Sequence, residues 1–134
     1  MEKIRVFNGI SHERLRRILS SLLSGTPDIE LVSETEDEHV NFDLVMSRLP
    51  DVVLMDLTSR AGGATDTLHA IQKVVPGVKI VVLLDYDLEL YEKMVIGMGA
   101  SGFLRTQDVV SDLIPEVRRV YKKRTMEVVR PKKV

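Results

Sequence analysis

Two aspartates follow neighbouring apolar segments of this 134-residue chain. Asp56 comes at the end of the run 51–55, and Asp85 directly follows the run 78–84. A continuous apolar run between turn signals is typical of a strand buried on both faces of a parallel sheet. Open parallel sheets bind their ligands beyond the carboxyl ends of their strands. That rule singles out three loops as the candidate site, at residues 8–11, 56–63 and 84–87.

Other groups that could do chemistry carry weaker signals. The three histidines, His12, His39 and His69, lie on different predicted helices and lack the spacing of metal ligands, so we expect no metal site. Gly62-Gly63 has no following lysine and predicts a turn into a helix, not a phosphate cradle. No nucleophile is paired with a base, and the absence of cysteine excludes thiolate catalysis and disulfides. We therefore expect a protein that is not an enzyme.

Short strand-like runs alternate with helical spacing along the whole chain. Strand-like runs begin near residues 4, 29, 52, 78 and 101, and a helical pattern follows each of them. This alternation predicts an α/β fold with a five-stranded parallel sheet covered by helices on both faces. The last helix is predicted to end near Lys123. We therefore expect one domain over residues 1–123 and a flexible basic tail over residues 124–134.

The composition narrows the classes of partner. Hydrophobic residues make up 44% of the chain, charged residues 29%, and the formal net charge is -1. A chain so close to neutral has no global field that would attract nucleic acid or an anionic membrane. No segment approaches the roughly 20 apolar residues that a membrane span requires. We expect a cytoplasmic protein without a membrane partner and without a nucleic-acid partner unless a further domain supplies one.

Four segments resemble the CheY-like receiver domains of response regulators, nearest the NarL type. They are Ile4-Arg5-Val6, His12-Glu13, residues 50–57 and residues 99–104. The resemblance extends to about residue 123 and implies the flavodoxin-like (βα)5 fold. It also implies a phosphoacceptor aspartate at the end of the third strand, which matches Asp56. Such a site needs Mg²⁺ and a lysine, because phosphorylation brings an anion against a carboxylate.

The positions that supply this neutralisation in the family carry other residues here. Ile10 and Ser11 replace the acidic pair after the first strand, Leu84 replaces the Thr or Ser, and Thr106 replaces the Lys. Asp85 occupies a position that is usually small and brings a further negative charge. Ile10 offers Mg²⁺ no oxygen ligand, and Leu84 cannot hydrogen-bond a phosphoryl oxygen. We therefore predict a degenerate pocket without a cofactor, in which Asp56 is not phosphorylated.

The resemblance also implies a switch residue and an interaction face. Phe103 matches the aromatic that reports activation in the family, but Leu84 lacks the hydroxyl that couples to it, so we expect one fixed rotamer. A protein partner or a second copy of the chain is expected on the face formed by the fourth helix, fifth strand and fifth helix. Its candidate residues are Tyr91, Lys93, Ile96, Arg105, Arg118 and Tyr121.

Three hypotheses remain open from the sequence. The first is a pseudo-receiver of a two-component system that acts through protein interaction without phosphorylation. The second is a receiver phosphorylated on Asp56 by a histidine kinase, with an atypical Mg²⁺ site in which Arg60 or Arg105 compensates part of the charge. The third, more remote, is a flavodoxin-fold protein that binds a small ligand.

Overall fold

A computed structural model describes residues 2–35, 42–56, 63–85 and 89–129 of the chain. The strands are β1 (Ile4–Gly9), β2 (Ile29–Glu34), β3 (Val52–Asp56), β4 (Lys79–Leu84) and β5 (Gly102–Arg105). The helices are α1 (Glu13–Ser24), α2 (Phe42–Arg48), α3 (Gly63–Val74), α4 (Glu89–Gly97) and α5 (Val109–Val129), with a 3-10 turn at Thr106–Asp108.

The five strands form one parallel sheet in the order β2-β1-β3-β4-β5. The predicted α/β fold is therefore confirmed. β2 lies on one side of β1 and β3 lies on the other, so the strand order reverses between β1 and β3. Sheets of this kind bind their ligands in the crevice beyond the carboxyl ends of the two strands at this point. The register pairs Gly9 with Met55, which places the residues after β1 beside the end of β3.

The sheet separates two apolar clusters. The first cluster lies under α1 and α5 and includes Leu54 and Leu113; the second lies under α2, α3 and α4 and includes Val53 and Leu68. Successive residues of β3 thus enter opposite clusters, because strand side chains alternate between faces. This two-sided burial explains why β3 and β4 are continuous apolar runs. No helix in the described part of the chain has the length and apolar character to cross a membrane.

Several element boundaries differ from the sequence prediction. Serine is a residue type favoured at helix caps, so the sequence favours Ser11 before the first helix. In the structure His12 is the cap residue of α1, and its Nδ1 accepts a hydrogen bond from Leu15 N at 3.3 Å. α5 continues to Val129, beyond the predicted end at Lys123. The domain boundary after residue 123 remains a prediction, and residues 130–134 lie outside the described residues. The sequence also favours a second helix that starts near residue 38 and a cap at Asp87 before the fourth helix. Residues 38–41 and Asp87 lie outside the described residues too.

Leu49 carries backbone strain at the end of α2. Its φ of 47° lies in the left-handed region, and its side chain is 62% exposed. A left-handed conformation costs a residue with a Cβ about 1–2 kcal/mol, which glycine avoids. We expect Leu49→Gly to raise the free energy of unfolding by about 0.5–1 kcal/mol, measured by urea denaturation. Leu49→Ala, which keeps the Cβ, should not stabilise; an equal gain from Ala would show that the exposed side chain, not the backbone, was responsible.

Candidate functional site

Asp56 lies at the carboxyl end of β3, where Ser11 holds its carboxylate. The Ser11 hydroxyl donates to Asp56 Oδ2 at 2.7 Å. The Ser11 backbone N–H lies 3.2 Å from each of the two carboxylate oxygens. Hydrogen bonds to an ionised carboxylate are stronger than neutral ones. Ser11 therefore gives the half-buried Asp56 two donors from the loop after β1.

Ile10 turns away from this carboxylate. Its side chain is 0% exposed and packs in the cluster under α1 and α5, together with Leu19 and Leu113. The residue that matches the first acidic position of the family is therefore part of the hydrophobic core. Only the backbone of Ile10 takes part in the loop beside Asp56.

Thr106 and Asp85 come together at the ends of β4 and β5. Thr106 Oγ1 lies 2.9 Å from Asp85 Oδ1 and 3.2 Å from Leu84 O. A threonine hydroxyl has one proton, so it donates to one of these oxygens at a time. The position that matches the family's lysine thus holds a neutral side chain bound to a second carboxylate.

An open cavity of about 330 Å³ joins these groups. Polar side chains from four segments and the apolar side chains of Leu15, Ile18 and Leu83 line it. The full lining is His12, Arg14, Leu15, Ile18, Asp56, Leu83, Asp85 and Thr106. Asp56, Asp85 and Thr106 were expected at this site from the sequence, whereas Arg14 was not. Its place in the first turn of α1, next to the predicted loop 8–11, was the available signal.

No group of three or more His, Asp or Glu side chains in the described residues is arranged to hold a metal ion. Mg²⁺ requires several oxygen ligands in near-octahedral geometry. In this loop Ser11 supplies a neutral oxygen that already donates to Asp56, and Ile10 supplies no side-chain oxygen. The described residues do not fit the family's Mg²⁺ site. Arg60, the other proposed source of positive charge, lies outside the described residues.

Phe103 and Leu84 lie on the same side of the sheet. Leu84 is buried in the cluster under α2, α3 and α4, and the partly buried Phe103 packs against that cluster. Phe103 also lines a groove of about 240 Å³ between β5 and α5, beside Pro115 and Glu116. The family has a Thr or Ser at the position of Leu84, and its hydroxyl couples to the aromatic residue. Leu84 has no hydroxyl that could couple to Phe103 in this way. The single rotamer of Phe103 remains a prediction.

Four of the six candidate interaction residues lie on α4 and β5. Ile96 is exposed, Lys93 pairs with Glu89 at 3.8 Å, and Tyr91 packs partly against the core. Arg105 Nη2 lies 2.5 Å from Glu92 Oε2, which ties the end of β5 to α4. The end of β5 and α4 therefore lie next to each other at the surface.

Arg118 and Tyr121 belong to a different region. They are three positions apart and share the face of α5 that turns toward α1: Tyr121 packs against the cluster under α1, and Arg118 binds Asp28 after α1. Arg119 faces the other way, since its Nη2 donates to Ser101 O at 3.4 Å beside β5. The structure therefore does not place Arg118 and Tyr121 in the predicted face, because the rotation of α5 about its axis is fixed by packing.

The Arg118–Asp28 pair is expected to contribute to the loss of folding stability at acidic pH. Arg118 Nε and Nη2 lie 3.0 and 2.8 Å from the two carboxylate oxygens, and these hydrogen bonds lower the pKa of Asp28. A lowered folded-state pKa stabilises the protein above the unfolded pKa of about 4, and this stability is lost as the pH falls through the folded value. We expect Asp28→Asn to lose less stability than the wild type between pH 7 and pH 3, in urea unfolding. Arg118→Gln should flatten the profile equally; an unchanged profile in both variants would contradict a role for the pair.

A buried polar cluster beside the site was not predicted. Asn8, fully buried in β1, donates through Nδ2 to Ser20 Oγ and to Arg16 O, each at 3.0 Å. Ser20 Oγ donates in turn to Glu34 Oε1 at 2.9 Å, and Arg16 Nε lies 4.0 Å from the same oxygen. We refer to Asn8, Arg16, Ser20 and Glu34 as the polar cluster. The polar Asn8 directly after the apolar pair Val6-Phe7 was the sequence signal for it.

The chain is similar in sequence to several known regulatory proteins. The transcriptional regulatory protein DegU of Brevibacillus brevis is 34% identical over 119 residues, which cover 88% of this chain and 50% of DegU. The oxygen regulatory protein NreC of Staphylococcus carnosus (strain TM300) is 34% identical over 114 residues, covering 83% of this chain and 52% of NreC. The chain thus spans about half the length of these curated relatives. No protein-family model matches it.

Solved structures share the fold. The receiver domain of the response regulator NarL from Mycobacterium tuberculosis superposes with a TM-score of 0.78 at 24% identity, over 91% of this chain and 98% of that one. The response-regulator domain of Thermotoga maritima CheB gives 0.77 at 19% identity, over 90% and 98%. Together with the sequence relatives, this fold shows that the chain belongs to the receiver-domain family of response regulators, nearest the NarL type.

Proposed function

We propose that this domain is a pseudo-receiver of two-component signalling that acts through protein interaction without phosphorylation of Asp56. The observation that carries the proposal is the pair of donors from Ser11, which occupy the carboxylate where the family places an acidic metal ligand. A serine at this position satisfies Asp56 without a cation. The resting site therefore needs neither Mg²⁺ nor a lysine.

The charges near Asp56 oppose phosphoryl transfer. A second carboxylate, Asp85, lines the same cavity, and the residue in the lysine position, Thr106, is neutral. Transfer of a phosphoryl group to Asp56 would add negative charge to this cavity. Preorganised positive groups normally stabilise such a transition state, and losing one typically slows a reaction by about 10²–10³-fold. The loss of several predicts a very slow reaction.

The partner surface proposed is the region formed by α4 and β5. Leu90, Met94 and Ile96 expose much of their side chains on α4, with exposed fractions of 72%, 42% and 49%. Arg105 and Glu92 add a charged pair at its edge. Ile96 lies one turn after Glu92 and so on the side of α4 that carries this pair, whereas Leu90 and Met94 share another side of the helix. Exposed apolar side chains next to charged groups are typical of protein docking sites. A protein partner or a second copy of the chain would bind there, and Arg118 and Tyr121 lie outside this surface.

One observation favours the alternative, a receiver that is phosphorylated on Asp56. Arg14 lines the same cavity as Asp56 and supplies a positive charge that the family pattern did not predict. A histidine kinase would then be the phosphoryl donor. Arg14 replaces at most one of the charges that the family uses.

Incubation with acetyl phosphate and Mg²⁺, followed by intact-protein mass spectrometry, separates these two functions. We expect no phosphorylated species under conditions that fully modify a conventional receiver used as a positive control. Asp56→Asn provides the matched negative control. A phosphorylated species that forms in the wild type and is lost in Asp56→Asn would establish the alternative.

A further inference from the structure

The hydrogen bonds between Ser11 and Asp56 depend on the position of a short loop. Ser11 follows β1 by two residues, and its N–H and hydroxyl reach Asp56 only while this loop keeps its conformation. The side chain of Ile10 anchors one end of the loop in the core. Its backbone N–H donates to Asn8 Oδ1 at 3.2 Å. The carbonyl groups of Ile10 and Ser11 also accept hydrogen bonds.

Arg16 binds three consecutive carbonyl groups of this loop. Its Nη1 lies 2.8 Å from Ile10 O and 3.2 Å from Ser11 O. Its backbone N–H donates to His12 O at 2.8 Å, which closes the first turn of α1. Because Nη1 of a guanidinium carries two N–H groups, this one nitrogen can donate to both side-chain-bound carbonyl groups. Arg16 thus holds the carbonyl side of the loop that carries Ser11.

The Arg16 side chain is itself held by the polar cluster. It is 8% exposed, and burying a charge is costly unless the charge is paired and hydrogen-bonded. Glu34 on β2 supplies the opposite charge, and Ser20 fixes the Glu34 carboxylate. Asn8 connects Ser20 to the backbone of Arg16. The cluster joins β1, α1 and β2 into one rigid support.

We propose that Arg16 is a positioning residue that holds Ser11 against Asp56 and so keeps the carboxylate occupied. This proposal extends the proposed function, since it names the residue that maintains the state without phosphate. Arg16 touches neither Asp56 nor the open cavity in this role. It acts through the carbonyl groups of Ile10 and Ser11.

Amide hydrogen exchange measured by NMR on the full chain, without Mg²⁺ or any phosphoryl donor, tests the proposal. We expect Arg16→Gln to raise the exchange rate of the Ser11 amide roughly tenfold or more, since losing a charge-assisted hydrogen bond has an effect of that size. The Val82 amide in central strand β4 should keep its rate. Arg17→Gln is the matched control, because Arg17 is the next residue, is 77% exposed and pairs with Glu13; it should change neither rate.

A second comparison separates positioning from general stability. Asp56→Ala should also raise Ser11 exchange, and adding Arg16→Gln to it should add little, because both changes open the same contact. An unchanged Ser11 rate in Arg16→Gln, or equal increases at Ser11 and Val82, would overturn the proposal.

Arg16→Lys keeps the charge but not the planar guanidinium, so it should give an intermediate exchange rate at Ser11. If Arg16→Gln does not fold, a wild-type Ser11 rate in Arg16→Lys would overturn the proposal instead. Phosphorylation of Asp56 would refute the pseudo-receiver function but would leave these rates to be judged separately.

Discussion

Ile10→Asp is expected to lower the free energy of unfolding by about 4 kcal/mol or more. Ile10 is fully buried under α1 and α5, so the substitution removes a core side chain and places a carboxylate in an apolar cluster. Since whole domains are stable by only about 5–15 kcal/mol, this variant should be largely or partly unfolded at room temperature. Urea denaturation followed by circular dichroism measures the effect.

Two control variants define what the result means. Ile10→Val keeps the apolar character and should cost only about 0.5–1.5 kcal/mol. Ser11→Asp changes the next residue, which is partly exposed, and should cost far less than Ile10→Asp. A stable, folded Ile10→Asp protein would show that residue 10 faces the cavity and that the core assignment is wrong.

The double variant Ser11→Asp with Thr106→Lys is expected to restore phosphoryl chemistry at Asp56. It replaces a neutral oxygen with a carboxylate that can bind Mg²⁺, and it brings an ammonium to the position now occupied by the Thr106 hydroxyl. Each recovered charge should accelerate transfer by about 10²-fold or more. The rate of modification by acetyl phosphate with Mg²⁺, followed by intact mass, is the measurement.

The single variants test whether both groups are needed. Ser11→Ala removes the hydroxyl donor, keeps the backbone N–H and adds no ligand, so it should leave Asp56 unmodified. Ser11→Asp and Thr106→Lys alone should give smaller gains than the pair. Adding Asp56→Asn to the double variant should abolish the gain. No gain in a folded double variant would mean that Leu84 or the buried Ile10 sets the limit, and the account based on neutralising charge would be wrong.

The fold could be predicted because its strands are buried on both faces. The runs 52–55 and 80–84 have no polar alternation, and a parallel sheet between two helical layers explains this directly. The end of β1 was harder, since Asn8 interrupts the apolar pattern and the strand continues through it to Gly9. The partners of Asn8 lie on α1, which no local pattern shows.

The residues of the site were easier to predict than their contacts. The resemblance located Asp56, Ser11, Asp85 and Thr106, and the structure brings these four together. The bond from Ser11 to Asp56 depends on the parallel register of β1 with β3, which composition does not determine. The side of the sheet that Ile10 faces also depends on packing.

The interaction face shows the same difference between pattern and packing. The resemblance suggested one surface over α4, β5 and α5, but a helix presents a different side to each neighbour. Arg118 turns toward Asp28 and α1, whereas Arg119, the next residue, turns toward β5. A single step along a helix rotates the side chain by about 100°, so the neighbours must be known before a face can be assigned.

Backbone NMR during titration with Mg²⁺ and then with beryllofluoride, a mimic of the phosphoryl group, tests directly whether Asp56 accepts a phosphoryl group. We expect no chemical-shift changes around Asp56, Asp85 and Phe103 at millimolar Mg²⁺, with or without beryllofluoride. The Ser11 amide, which donates to Asp56, is the most sensitive single reporter. Changes that cluster at these residues in the wild type and disappear in Asp56→Ala would contradict the account and establish a working phosphoacceptor site.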